Sequence, residues 1–213
     1  MDLQFLAAQL KKPFGEEGKQ IGEVMNNGNK LINDWTIAQL GLQESDYVLE
    51  IGMGNGYFVK DILLKPTIRY VGIDYSEIMI NEATKMNRSF IDENRVHFTL
   101  ATADKIPFAD NTFAKIFAVN TIYFWGDASN ELQEIKRVLQ PGGRFVLSIR
   151  NKETMQQMPF TEYGFVKYTC EELANVLTKH GFKINNILQQ KEPIYNFNGQ
   201  SMQLENIIVT CNK

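Results

Sequence analysis

Residues 48–57 read Val48-Leu49-Glu50-Ile51-Gly52-Met53-Gly54-Asn55-Gly56-Tyr57. This is a short buried strand that ends on an acid, Glu50, and opens into a glycine-rich turn. Three glycines at alternate positions let the backbone bend sharply and approach a ligand closely, because no Cβ blocks it. A strand, such a turn and a following helix are how an open α/β sheet builds a pocket at a strand's carboxyl end.

Strand and helix signals alternate on both sides of this stretch. Before it, Pro13 and Gly15 mark a loop, and Leu31, Trp35, Ala38 and Leu42 follow a helical stripe that ends near Gly41. Met25-Asn26-Asn27-Gly28-Asn29 reads as a polar, turn-rich connection. After it, residues 57–64 are expected to be helical and residues 69–73 a second strand. Ser76 caps the next helix, whose inner face would be Met79, Ala83, Met86 and Phe90. Residues 96–100 and 114–119 read as strands, the latter apolar enough to be covered on both faces. Leu132, Ile135, Val138 and Leu139 form a helical face, and Pro141-Gly142-Gly143 turns into a strand over 144–149. Residues 151–168 read as irregular. Thr169 and Glu172 have capping-box spacing, Leu173, Val176 and Leu177 form a helix face, and Gly181 stops it. Residues 182–188 and 204–211 read as closing strands with no helix between them, so at least one runs antiparallel. The expected architecture is a three-layer α/β domain. Its sheet has seven strands, mostly parallel with an antiparallel C-terminal strand, and helices on both faces.

Composition narrows the function. With 213 residues and a 44% hydrophobic fraction, one domain with a full core is expected. A net charge of −3 with no dense Lys/Arg cluster gives no general attraction for nucleic acid or an anionic membrane. Cys170 and Cys211 have no metal-ligand spacing and form no disulfide framework. No apolar run approaches a membrane span, and residues 1–10 do not read as a secretory signal. A cytoplasmic protein with a small-molecule partner, no membrane or nucleic-acid role and no metal is expected.

Four features fall at the carboxyl ends of successive expected strands, the edge where open α/β sheets bind ligands. They are Glu50 with Gly52, Gly54 and Gly56; Asp74; Ala103-Asp104; and Asn120 through Trp125. Asp74 lies 18 residues past the last glycine, where an acid can accept hydrogen bonds from both hydroxyls of a ribose. Asp104 is suited to accept from an exocyclic adenine amine. Met79 is placed to cover one face of an adenine ring.

Glu50 through Gly56 resembles the E/D-x-G-x-G-x-G first motif of class I S-adenosylmethionine-dependent methyltransferases. Gly72-Ile73-Asp74-Tyr75-Ser76 is similar to their second motif, Ala101 through Phe108 to their adenine-binding segment, and Val138 through Arg144 to their PGG turn. The resemblance covers about residues 45–150 and is closest to the branch containing ubiquinone and menaquinone methyltransferases. It implies a Rossmann-like sheet closed by a reversed hairpin, with S-adenosylmethionine as cofactor. Residues 1–45 would form a helical lead-in or lid, 46–150 the cofactor-binding core, and 151–213 an acceptor-side lid and closing strands.

By position, the resemblance puts Glu50, Gly52, Met53, Gly54, Asn55 and Gly56 around the methionine part of the cofactor. Asp74 and Tyr75 would hold the ribose. Ala103, Asp104 and Lys105 would hold the adenine, and Asn120 and Thr121 the wall beside the methyl group. Tyr123, Trp125 and Tyr163 are candidates for acceptor contact, Tyr163 within an aromatic cluster with Phe160, Phe165 and Tyr168. Asn120 and Tyr123 are the candidate catalytic residues. They are the outer positions of an Asn-Pro-Pro-Tyr motif of amine-methylating relatives, but both prolines are missing from Asn120-Thr121-Ile122-Tyr123.

Three other readings stay open. A nicotinamide-dependent oxidoreductase would carry G-x-G-x-x-G, whereas Tyr57 stands where its last glycine belongs. A non-catalytic S-adenosylmethionine-binding regulator would carry the same motifs without turnover. A nucleic-acid methyltransferase is opposed by the net charge. His97 reads as a strand residue, and His180 as a helix-end cation placed against the dipole.

Overall fold

The computed structural model describes residues 2–197 and 200–213. The chain runs α1 (Leu3–Lys11), α2 (Gly15–Gly28), α3 (Lys30–Leu40), β1 (Tyr47–Ile51), α4 (Val59–Ile62), β2 (Arg69–Asp74), α5 (Glu77–Met86), α6 (Arg88–Asp92), β3 (Val96–Leu100) and β4 (Phe113–Val119). It continues through α7 (Ser129–Val138), β5 (Leu139–Arg150), α8 (Lys152–Gln156), α9 (Cys170–Lys179), β6 (Lys183–Lys191), the short pair β7 (Tyr195–Phe197) and β8 (Gln200–Met202), and β9 (Glu205–Asn212).

The main sheet has seven strands in the order β3-β2-β1-β4-β5-β9-β6. Neighbours from β3 to β5 pair in parallel, and β9 runs antiparallel to both β5 and β6. The strand order reverses beside β1, which leaves a crevice between the carboxyl ends of β1 and β4.

Period-two alternation divides the core. Leu49, Val71, Ile116, Phe145 and Val209 pack on one face with Leu132 and Ile135 of α7 and Leu173 of α9. Val48, Tyr70, Phe117, Val146 and Ile208 pack on the other with Leu40 of α3 and Ile62 of α4. Successive strand residues point to opposite faces, so both faces must be covered and the strands read as continuous apolar runs.

Five local expectations are corrected. The helix after the glycine turn is only Val59–Ile62, because Pro66 supplies no amide hydrogen and disfavours helix in the residue before it. Residues 25–28 continue α2 rather than forming a turn-rich connection. Packing against α5 overrides their weak propensity: a Cβ on Gly22 would lie 3.2 Å from Met79 Cε, so the glycine permits the close approach.

The inner face of α3 is Ile32, Asn33, Thr36 and Leu40, while Ala38 of the apolar stripe is exposed. The buried polar pair accounts for the shift. Thr36 Oγ1 meets Ser148 Oγ of β5 at 2.6 Å, and Asn33 Nδ2 donates to the Asn29 carbonyl at 2.8 Å. On α5, Met86 is exposed and Asn87 takes the inner position. Asn87 Nδ2 donates to the carbonyls of Gly56 and Ala83, each at 3.0 Å, and ends the helix there. The segment 151–168 also holds more order than expected, in α8 and a 3-10 turn over Pro159–Glu162.

Candidate functional site

The carboxyl edge of the sheet opens into a cavity of about 300 Å³, at the lower bound for small-molecule sites. β1 delivers Glu50 to its floor and the following turn lays Gly52, Met53, Gly54 and Asn55 along it. Asp74 and Tyr75 enter from β2, and Met79 from α5. The segment after β3 contributes Ala103 and Asp104, and the end of β4 contributes Asn120, Thr121 and Trp125.

Gly52 and Gly54 adopt φ of +72° and +58°, the left-handed region that glycine enters without steric cost. A Cβ on Gly52 would stand 2.3 Å from Thr121 Cγ2, across the crevice between β1 and β4. A Cβ on Gly54 would meet nothing within 4 Å. Bare backbone therefore faces open cavity at Gly54.

Asp74 ties the turn to β2. One carboxylate oxygen accepts the Ser76 amide at 2.9 Å and the other the Gly54 amide at 3.1 Å. Burial raises its pKa to about 6 even against these bonds. Glu50 is buried as well and accepts the Tyr70 hydroxyl at 2.5 Å. Its pKa rises to about 7, chiefly through burial, with the Asp74 charge adding to the rise. Two desolvated acids at one wall favour a ligand that brings positive charge and hydrogen-bond donors.

Four sequence candidates lie elsewhere. Gly56 faces α5, where its Cβ would lie 3.0 Å from Ala83 Cβ, and it serves packing. Lys105 is exposed and lines a neighbouring groove instead. Tyr163 is 46% exposed at the surface, away from the cavity. Tyr123 is buried behind the cavity wall. Its hydroxyl accepts the Arg150 amide at 2.6 Å and lies 3.0 Å from Asn120 Oδ1, an acceptor for its proton. Burial holds that hydroxyl well above the ordinary tyrosine range. Phe165 packs on Phe124 and Tyr123 at centroid distances of 4.7 and 5.9 Å, so the aromatic cluster supports the wall from behind.

Sequence reasoning expected a lid from residues 1–45 and a site feature over Asn120 through Trp125, but left several lining residues unnamed. Gly22, Met25 and Asn26 of α2, Asn29 at its end, Phe124, and Glu131 of α7 all reach the cavity. No motif singles out the individual α2 residues, and Gly22 marks only where α2 approaches Met79 closely. Asn120 carries φ of +56°, and its Nδ2 donates to Asn29 Oδ1 at 3.2 Å, joining the end of β4 to the end of α2. His97 is exposed on β3. His180 caps α9, with Nδ1 2.8 Å from the Val176 carbonyl.

Comparison with known proteins places this geometry. A family model described as a methyltransferase domain matches residues 49–147. The chain is 29% identical over 133 residues to the uncharacterised methyltransferase YdaC of Bacillus subtilis, covering 62% of this chain and 71% of that protein. It is 37% identical over 123 residues to the inferred methyltransferase YrhH of the same organism, covering 56% and 66%. A SAM-dependent methyltransferase from Aquifex aeolicus shares the fold with a TM-score of 0.70 at 20% identity, over 90% of this chain and 97% of that one. Among the described residues no helix is long and apolar enough to cross a membrane.

Proposed function

The chain belongs to the class I S-adenosylmethionine-dependent methyltransferases, and from that premise we propose that it methylates a small-molecule acceptor in the cavity between β1, β4 and α2. The observation that carries the reading is the Asp74 carboxylate. It accepts backbone amides from both the glycine turn and the start of α5 while lining the cavity, so one acid ties together the two segments that would hold the cofactor.

The residues fit the cofactor. Asp74 is positioned to take the two ribose hydroxyls, and Asp104 the adenine amine. Glu50 and the bare backbone of Gly52 to Gly54 suit the charged methionine part. Met79, 1% exposed, supplies an apolar surface for the purine. Thr121 lines the same cavity, and its buried hydroxyl has no hydrogen-bond partner.

Bound S-adenosylmethionine supplies a methyl group on a sulfonium whose departing thioether is neutral. The chain's own part is alignment. Thr121 and Asn120 hold the wall at the end of β4, Trp125 and Phe124 offer apolar faces to an acceptor, and α2 shields the opening. Orienting two reactants in this way is worth several kcal/mol, up to about 10.

Calorimetric titration with S-adenosylmethionine, S-adenosylhomocysteine and NAD tests the reading, followed by a methylation assay on pooled metabolites. Saturable S-adenosyl binding with no NAD binding is expected. NAD binding without S-adenosyl binding would overturn it.

A further inference from the structure

The segment between β3 and β4 carries Ala103 and Asp104 to the cavity, yet residues 101–112 form neither helix nor strand. Within residues 102–108 it is braced by two backbone hydrogen bonds, Lys105 to Thr102 at 3.3 Å and Phe108 to Ile106 at 2.8 Å. That is too little to hold one carboxylate in a defined place.

What shapes it comes from α7, some thirty residues further along. Glu134 Oε2 accepts the Ile106 amide at 3.0 Å. Arg137 donates to the carbonyls of Ile106 at 2.9 Å and Phe108 at 2.8 Å, and to Asp110 at 2.8 Å. It also grips both oxygens of Glu134, at 2.7 and 2.8 Å. These bonds use all five N–H groups of the guanidinium, a fork geometry that lysine cannot reproduce. The Arg137 and Glu134 side chains are 30% and 21% exposed, so solvent screens them only in part. On the same face, one turn earlier, Glu131 lines the cavity with Asp104. Burial, with the Asp104 charge adding to it, raises the Glu131 carboxyl above its ordinary range. Helix and loop thus form one wall.

We propose that Arg137, together with Glu134, is a positioning residue that fixes Asp104 at the purine end of the cavity and sets the preference for a 6-amino over a 6-oxo purine. The inference rests on reading the cavity as an S-adenosyl site. An amine donates to a carboxylate, whereas an oxo group in the same place sets one acceptor against another. Misplacing Asp104 therefore erodes this discrimination first, while contacts made through Asp74 persist.

The test titrates S-adenosylhomocysteine and S-inosylhomocysteine into wild type, Arg137→Gln, Arg137→Lys, Asp104→Asn and the Arg137→Gln/Asp104→Asn double variant. Wild type should prefer the adenine ligand by at least about thirtyfold, within the range for lost polar pairing. Arg137→Gln should cut that ratio about tenfold and leave S-inosylhomocysteine affinity within about twofold. Arg137→Lys, which keeps the charge, should cut it about threefold and serves if the glutamine variant does not fold. In the Asp104→Asn background Arg137→Gln should change the ratio less than about twofold, since its effect is spent through Asp104. Equal losses for both ligands, or an unchanged ratio, would overturn the proposal. Wild type binding neither ligand would sink the reading of the cavity, and the proposal with it.

Discussion

The Asp74 carboxylate accepts the Gly54 amide at 3.1 Å across twenty residues of sequence, so the acid after β2 shapes the turn after β1. Removing it should act on both. Asp74→Ala is expected to weaken S-adenosylhomocysteine binding by about 1–3 kcal/mol, the range for losing hydrogen bonds to a charged group. Calorimetry checks this, and an unaltered affinity would remove Asp74 from the site.

The same acid and Glu50 make binding depend on pH. Their pKa values in the free protein, about 6 and about 7, lie above the ordinary carboxylate range, so the folded chain retains protons that the unfolded chain has lost. Their contribution to stability is present below the unfolded values and is lost as pH rises through about 7. For Glu50 that loss is of the order of 3 kcal/mol. Denaturant unfolding of the unliganded protein should show stability falling between about pH 4.5 and 7, and Glu50→Gln should flatten the curve. Ligand affinity should run the other way, rising over the same window as the acids ionise. Titrations near pH 6.5 in buffers of different ionisation enthalpy should register proton release, and none would mean that neither acid meets the ligand.

Gly52 and Gly54 separate folding from binding. A Cβ on Gly52 collides with Thr121 Cγ2 at 2.3 Å, so Gly52→Ala should lose more stability than the roughly 1–2 kcal/mol of left-handed strain alone. Thr121→Ser removes the colliding methyl and should recover part of it. A Cβ on Gly54 points into open cavity, so Gly54→Ala should cost only the strain, yet abolish S-adenosyl binding. If both glycine variants bind normally, the turn is not the cradle.

The sheet was legible because its strands are buried on both faces and bounded by turn residues. β1 and β3 fall where the alternation puts them, and the antiparallel closure by β9 follows from two strands with no helix between them. Glycines and strand-end acids were legible for a related reason, since each is a residue type with a single strong local use. What stayed hidden depends on contacts between distant segments. The inner face of α3 carries Asn33 and Thr36, whose partners are Asn29 and a β5 serine. Asn87 looks like a surface residue until its amide meets Gly56. Tyr123 reads as an acceptor contact because it follows Asn120, yet the 3-10 turn over Ile122–Phe124 rotates it inward and presents Phe124 instead.

That inward rotation makes Tyr123 a structural residue. Tyr123→Phe leaves the Arg150 amide with only the longer 3.3 Å contact to Asn120 Oδ1. A loss of about 1–2 kcal/mol in folding stability is expected. Once an acceptor is found, the pH profile of turnover should keep its shape, because no proton passes through this hydroxyl. A lost basic-side dependence in the variant would restore Tyr123 as a catalytic candidate.

The N-terminal helices hang from the same acid turn that the cofactor would occupy. Ser76 Oγ donates to the Pro13 carbonyl at 2.5 Å, and the Tyr75 hydroxyl donates to the carbonyl of Lys11. Both residues directly follow Asp74, and α2 then lays Gly22, Met25 and Asn26 over the cavity. A ligand that engages Asp74 therefore braces the turn that anchors α1 and α2. Deleting residues 1–28 should weaken S-adenosylhomocysteine binding at least tenfold, about 1.4 kcal/mol. In the intact chain, the same ligand should slow proteolysis within that segment. Unchanged affinity and activity after the deletion would show that these helices only pack against the domain.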